Sequence, residues 1–163
     1  MNSVQIHLAL THVPVILSLV GLVILIASGI VKNPTLVRVA YAIIVVAGIA
    51  ALPVFFSGEG AEEAIEHLPG VSETLIERHE DAAKLAMFAI VASALAALAA
   101  IVALKWKPSL QFFKVGVLAL SIGAGALMAQ TAHLGGQIRH PEMRNGATAS
   151  MGAANEYGGD NDE

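Results

Sequence analysis

Six histidines carry most of the chemistry this sequence offers: His7, His12, His67, His79, His133 and His140. Neutral imidazole is a common ligand for transition metals and for haem iron. There is no Cys, so thiolate metal sites, iron–sulfur clusters, disulfides and thioether-linked haem are excluded. A second set of candidate ligands is acidic. Glu59, Glu63 and His67 recur every four residues, nearly along one helix face, and His79-Glu80-Asp81 adds two carboxylates beside a histidine. The ferritin-type signature is a Glu-x-x-His pair on each of two helices, whereas Glu63 and His67 are spaced by four.

What holds these residues is a membrane-like chain. It has 163 residues, 56% hydrophobic and 13% charged, with a mean hydropathy of +0.70. A soluble domain has about 25% charged residues. The composition excludes a disordered chain, a nucleic-acid-binding domain and a typical soluble enzyme. A spanning helix needs roughly 20 apolar residues, and four runs qualify: about 13–31, 39–56, 85–104 and 115–133. The first is too long and lacks the basic leader of a cleavable signal peptide. His12-Val13-Pro14 opens it, with Thr11 or His12 as cap. Asn33-Pro34 closes the first hairpin and Lys107-Pro108-Ser109 the second. Pro53 is expected to loosen the last turn of span two. Ala92, Ser93, Ala96, Ala97, Gly123, Gly125 and Ala126 let backbones approach closely in lipid.

The expected fold is all-α: an integral membrane four-helix bundle, up-down-up-down, over residues 1–141. A short amphipathic helix, Ala61 to Leu68, lies between spans two and three. A helix starting at Ser72 continues into span three, and the Gly135-Gly136 pair ends span four. Residues 142–163, rich in Gly, Ala, Asn and acid, read as a disordered acidic tail. No internal repeat is evident, and no charge lies at mid-membrane, which disfavours a transporter.

Charge gives the orientation. Lys32, Arg38, Lys105, Lys107 and Lys114 occupy two short loops without any acid, and all 13 Asp and Glu lie on the other side. The positive-inside rule puts those loops in the cytoplasm of a bacterial inner membrane and both termini outside it. All six histidines then fall at the outer end. Depth counted from the basic anchors sorts them. His12 and His133 are 20 and 19 residues away, about 30 Å along a helix. His7, His79 and His140 are 25 or 26 away, about 38 Å. The result is an inner pair, His12 with His133, and an outer pair, His7 with His79, for which His140 is the alternate.

Two histidines on facing helices, an apolar slot and small residues suit b-type haem, one or two per chain. Arg139 and Arg144 beyond span four, and Arg78 and Lys84 beside His79, would meet its propionates. The competing site is non-haem iron, zinc or copper on His7, His12, Glu63, His67 and His79, with three histidines and a water as the zinc arrangement.

The motifs resemble those of a bacterial four-span membrane family catalogued as domain of unknown function 2231. His7-Leu8-Ala9-Leu10-Thr11-His12-Val13-Pro14-Val15 resembles its opening H-P-x-x-x-H-F-P-I-A. Ala51-Leu52-Pro53 with Ser57-Gly58 resembles the end of its second span. His79 stands where the family has a His opening span three. His133-Leu134-Gly135-Gly136-Gln137-Ile138-Arg139-His140 resembles its closing W-L-G-G-x-L-V-Y-x-H-G. The likeness covers about residues 5 to 141. Leu8 replaces a Pro, Pro141 a Gly, and His133 stands where Trp is common. The resemblance implies a four-helix bundle with a His-rich outer end and a haem-binding or redox-associated membrane protein.

Three functions are therefore expected to compete. The first is an electron carrier, or subunit of an oxidoreductase complex, linking a quinol or partner subunit to an outer redox protein. The second is a non-haem metal protein. The third is a structural subunit of a larger membrane complex. A homo-oligomer is compatible with each. Hydrolase chemistry is disfavoured, because Ser57-Gly58-Glu59 is not a nucleophile elbow and no phosphate-binding glycine loop follows a strand.

Overall fold

An apolar run crossing lipid must satisfy its backbone polar groups within itself, which leaves the helix as its local solution. The computed structural model describes residues 3–65, 72–103 and 111–139, with the side chains of all of these except 3, 111, 112 and 139. The described residues form five helices: α1 (Ser3–Leu10), α2 (His12–Ile30), α3 (Pro34–Glu62), α4 (Glu73–Ala103) and α5 (Gln111–Arg139). They contain no strand. Four stretches are long and apolar enough to cross a membrane: Val4–Ile30, Pro34–Glu62, Glu73–Ala103 and Phe113–Ile138.

Each of these stretches is longer than the corresponding apolar run, and the extra turns lie mostly at the histidine-bearing end. Thr11 does not cap α2; its backbone is helical and it makes no side-chain cap. Its amide reaches the His7 carbonyl at 2.9 Å, and its hydroxyl donates to the same oxygen. The one-residue break between α1 and α2 follows from Pro14, which offers no N–H to Leu10 and crowds that carbonyl. Pro53 does not end α3 either, since the helix continues to Glu62. Ala61 and Glu62 are thus the end of α3 rather than a separate amphipathic helix. Residues 63–65 form a turn, and 66–68 lie outside the described residues. Ser72 does start α4, its carbonyl accepting from Leu75 at 3.0 Å and Ile76 at 3.1 Å. Helix α5 passes through Gly135 and Gly136 to Arg139. Asn33 caps α3 by accepting from the Thr35 amide at 2.9 Å, with Pro34 as its first residue. The Lys107-Pro108-Ser109 turn, the 142–163 tail, His67 and His140 lie outside the described residues.

Helix α2 packs on α3, α3 on α4, α4 on α5, and α5 closes back on α2; α1 lies on α3. One core layer joins Leu25, Ala40, Tyr41, Ile44, Ala97, Ala100 and Val117. The other joins Ala47, Ala51, Ala86, Ile90, Ala124 and Met128. Alanine dominates because close approach, rather than hydrophobic expulsion, drives helix association in lipid. Large apolar side chains face outward instead: Ile30 is 77% exposed, Phe88 76% and Val23 63%. In water so extensive an apolar surface would aggregate; against acyl chains it costs nothing. The buried polar side chains among the described residues are Ser18, Ser28, Ser93 and Ser121.

The structure overturns the expectation of no repeat. Counting 72 residues on from the buried positions of α2 (Pro14, Ser18, Gly21, Leu25, Ser28) lands on Ala86, Ile90, Ser93, Ala97 and Ala100 of α4, all buried. Counting 77 on from the buried positions of α3 takes Ala40, Ile44, Ala47 and Ala51 to buried Val117, Ser121, Ala124 and Met128 of α5, and Tyr41 and Gly48 to half-buried Leu118 and Gly125. Contacts follow the same rule. A Cβ on Gly21 would meet Ile44, and the corresponding pair, Ser93 and Ser121, is hydrogen-bonded at 2.9 Å. A Cβ on Gly48 of α3 would meet Ala94 of α4, and one on Gly125 of α5 would meet Leu22 of α2. The second hairpin therefore repeats the first, and the two pack on each other through equivalent faces.

The Ser93–Ser121 bond is a buried side-chain link within the second hairpin. Interhelical bonds of this kind contribute about 0.6 kcal/mol and at most about 1.7 kcal/mol in a membrane. A double-mutant cycle with Ser93→Ala and Ser121→Ala, read by denaturant titration in mixed micelles, is expected to give a coupling in that range. A coupling indistinguishable from zero would refute the link.

Candidate functional site: two imidazoles at one end of the bundle

The His7 ring, carried by α1, reaches across to α3. Its Nδ1 lies 3.0 Å from the Val54 carbonyl oxygen. The Gly58 backbone lies beside the ring, where a Cβ would sit 3.6 Å from His7 Cε1. The His79 ring, carried by α4, reaches across to α5 in the same manner. Its Nδ1 lies 3.0 Å from the Thr131 carbonyl oxygen. A Cβ on Gly135 would sit 3.1 Å from His79 Cε1, tighter than an alanine accommodates without movement.

The two seats are equivalent under the repeat. Counting 72 on from His7 gives His79, and 77 on from Val54 and Gly58 gives Thr131 and Gly135. In each, an imidazole binds the carbonyl of one residue and lies against a glycine four residues later, one helical turn on. Both rings are half-buried.

A carbonyl oxygen only accepts, so each Nδ1 carries the proton it donates. In the neutral ring this leaves the lone pair on Nε2. Histidines that hold metals almost always have their other ring nitrogen engaged in this way, which fixes tautomer and orientation and raises ligand basicity. Each ring thus keeps the nitrogen that could bind a metal ion, and each lies against a glycine backbone. A side chain at Gly135 would press on the His79 ring, whereas a Cβ at Gly58 would make an ordinary contact with His7.

His12 and His133, expected as the inner pair, are both exposed. The Nε2 acceptor of His133 is taken by the Gln137 amide at 3.0 Å, within α5. The helical turn explains the difference. His12 follows His7 by five residues, about 140° round the helix. His133 precedes Gly135 by two, about 200° round. Counting from basic anchors gave depth along the helix and no information about direction.

Glu63 is exposed, His67 lies outside the described residues, and no three His, Asp or Glu converge as a metal site among the described residues. Glu62, Glu73 and Glu77 line a cleft of about 160 Å³ with Ile76, without a histidine among them. Lys84, expected to meet a propionate, is 2.9 Å from Glu80 and 3.9 Å from Asp81 on its own helix. Arg78 is exposed, and the Arg139 side chain lies outside the description.

Sequence reasoning missed the seats themselves. Val54 and Thr131 act through main-chain oxygens, which any residue provides. Gly58 and Gly135 were the available signal, and Gly135 was read as a helix stop. No family model, no curated protein and no solved structure matches the chain.

Proposed function

We propose that the chain is a membrane electron-transfer protein that holds one b-type haem between His7 and His79. The observation that carries this reading is the matched pair of imidazoles. Each is fixed through Nδ1 to a main-chain carbonyl and lies against a glycine, which leaves the lone pair of the neutral ring on Nε2. His7 and His79 would hold the iron, which would supply one-electron redox chemistry. Val54 and Thr131 orient the rings, and Gly58 and Gly135 keep their flanks clear. Among the described residues no charged side chain is buried.

The wider setting rests on the sequence. The bundle runs up-down-up-down, with its basic loops in the cytoplasm of a bacterial inner membrane and both termini outside. The haem end then faces outward, where a quinol or a partner subunit exchanges electrons with an outer redox protein. Membership of the family catalogued as domain of unknown function 2231 belongs to the same proposal, on the motifs around His7, His79 and Gly135.

The test is a dithionite-reduced minus air-oxidised visible spectrum of detergent-purified protein, with pyridine haemochrome quantification. Sharp reduced α and Soret bands at about one haem per chain are expected from a single axial pair. A featureless spectrum from protein produced with haem in excess would end the reading. Elemental analysis of the same sample would then separate a non-haem metal protein from a structural subunit.

A further inference from the structure

The two histidine seats match in ring, carbonyl and glycine, and differ in the hydroxyl that touches the ring. Counting 77 on from Ser57 lands on Leu134. Ser57 Oγ lies 3.4 Å from His7 Nδ1 and donates to the Val54 carbonyl at 3.0 Å. One hydroxyl therefore touches both partners of the His7 bond. The His79 seat has nothing equivalent: Leu134 has no polar group, and the Thr131 hydroxyl is turned to the Leu127 carbonyl at 2.9 Å. A repeat that keeps the carbonyl and the glycine on both sides, and places a hydroxyl on only one, makes the two imidazoles chemically unequal.

We propose that Ser57 is a positioning residue for His7 that makes it the stronger donor of the pair. Its oxygen gives the Nδ1 proton a second acceptor beside Val54. A shared N–H is held more firmly to Nδ1, which keeps the lone pair on Nε2. Drawing on that proton also enriches the ring in electron density, the means by which outer partners raise the basicity of a ligating histidine. A more basic axial imidazole stabilises ferric over ferrous iron. The redox consequence rests on the haem reading above; the tautomer consequence does not.

The experiment has two arms on the full chain. In the first, haem-free protein labelled with ¹⁵N at histidine is studied by NMR with its imidazoles neutral. Ser57→Ala is expected to lower the Nδ1–H tautomer fraction at His7 and leave His79 unchanged, and Ser57→Thr, which keeps the hydroxyl, to restore it. In the second, the midpoint potential of haem-loaded protein is expected to rise in Ser57→Ala. It is expected to fall in Leu134→Ser, which places a hydroxyl in the other seat. An unchanged His7 tautomer in Ser57→Ala overturns the proposal, as does an unchanged or lowered potential. If Ser57→Ala fails to fold, Leu134→Ser decides by the direction of its potential. A wild-type chain that binds no haem refutes the functional reading, while the tautomer arm still decides the role of Ser57.

Discussion

Alanine at His7 or at His79 is expected to reduce bound haem from about one per chain to near zero, while alanine at His12 or His133 leaves it unchanged. The contrast follows from direction rather than depth. The rings of His7 and His79 are half-buried and anchored at 3.0 Å to carbonyls of neighbouring helices. Those of His12 and His133 are exposed. Removing an outer partner of a metal-bound histidine costs roughly 10–100-fold in affinity, and removing the ligand itself costs more. Each single variant is also expected to convert any residual haem from a six-coordinate to a five-coordinate spectrum. Pyridine haemochrome per chain, with size-exclusion elution as the folding check, reads the result. Haem loss in His12→Ala or His133→Ala at wild-type levels in His79→Ala would overturn the assignment.

The sequence made some of this legible and hid the rest for definite physical reasons. Apolar runs of spanning length are a strong signal, and four membrane-length helices follow from them. Counting from Lys32 and Lys105 placed His7 and His79 at one level, because helical rise is constant. Helix ends were harder. The Gly135-Gly136 pair reads as a terminator, yet α5 continues through it, because a glycine there serves the approach of the His79 ring. Thr11 reads as a cap, yet it bonds back to His7 within a nearly continuous helix.

The repeat was invisible for a different reason. Pro14 corresponds to Ala86, Ser18 to Ile90, Gly21 to Ser93 and Ile44 to Ser121. What is preserved is burial and contact, not residue type. In a lipid-embedded bundle a small polar residue and a small apolar one fill a helix interface about equally well. A repeat of packing therefore persists where identity has gone. Residues at equivalent places in the two hairpins therefore occupy equivalent seats, as His7 and His79 do.

The two junctions between the hairpins are equivalent in register and unequal in tightness, which predicts opposite responses to one chemical change. A Cβ on Gly48 would lie 2.5 Å from the Ala94 Cβ and 3.5 Å from the Ile90 carbonyl oxygen, so α3 and α4 would have to separate. A Cβ on Gly125 would lie 3.9 Å from Leu19 and Leu22, an ordinary contact between α5 and α2. Overpacking a close interface costs about 1–3 kcal/mol, whereas replacing a helical glycine by alanine gains up to about 1 kcal/mol where space allows. Gly48→Ala is therefore expected to destabilise the protein and Gly125→Ala to leave it unchanged or slightly firmer. The two should differ by about 2 kcal/mol in denaturant titration of the micellar protein. Adding Ala94→Gly to Gly48→Ala removes the methyl it strikes and is expected to recover most of the loss. Equal stability of the two single variants would contradict the unequal junctions. Failure of Ala94→Gly to rescue would place the cost of Gly48→Ala somewhere other than its contact with α4.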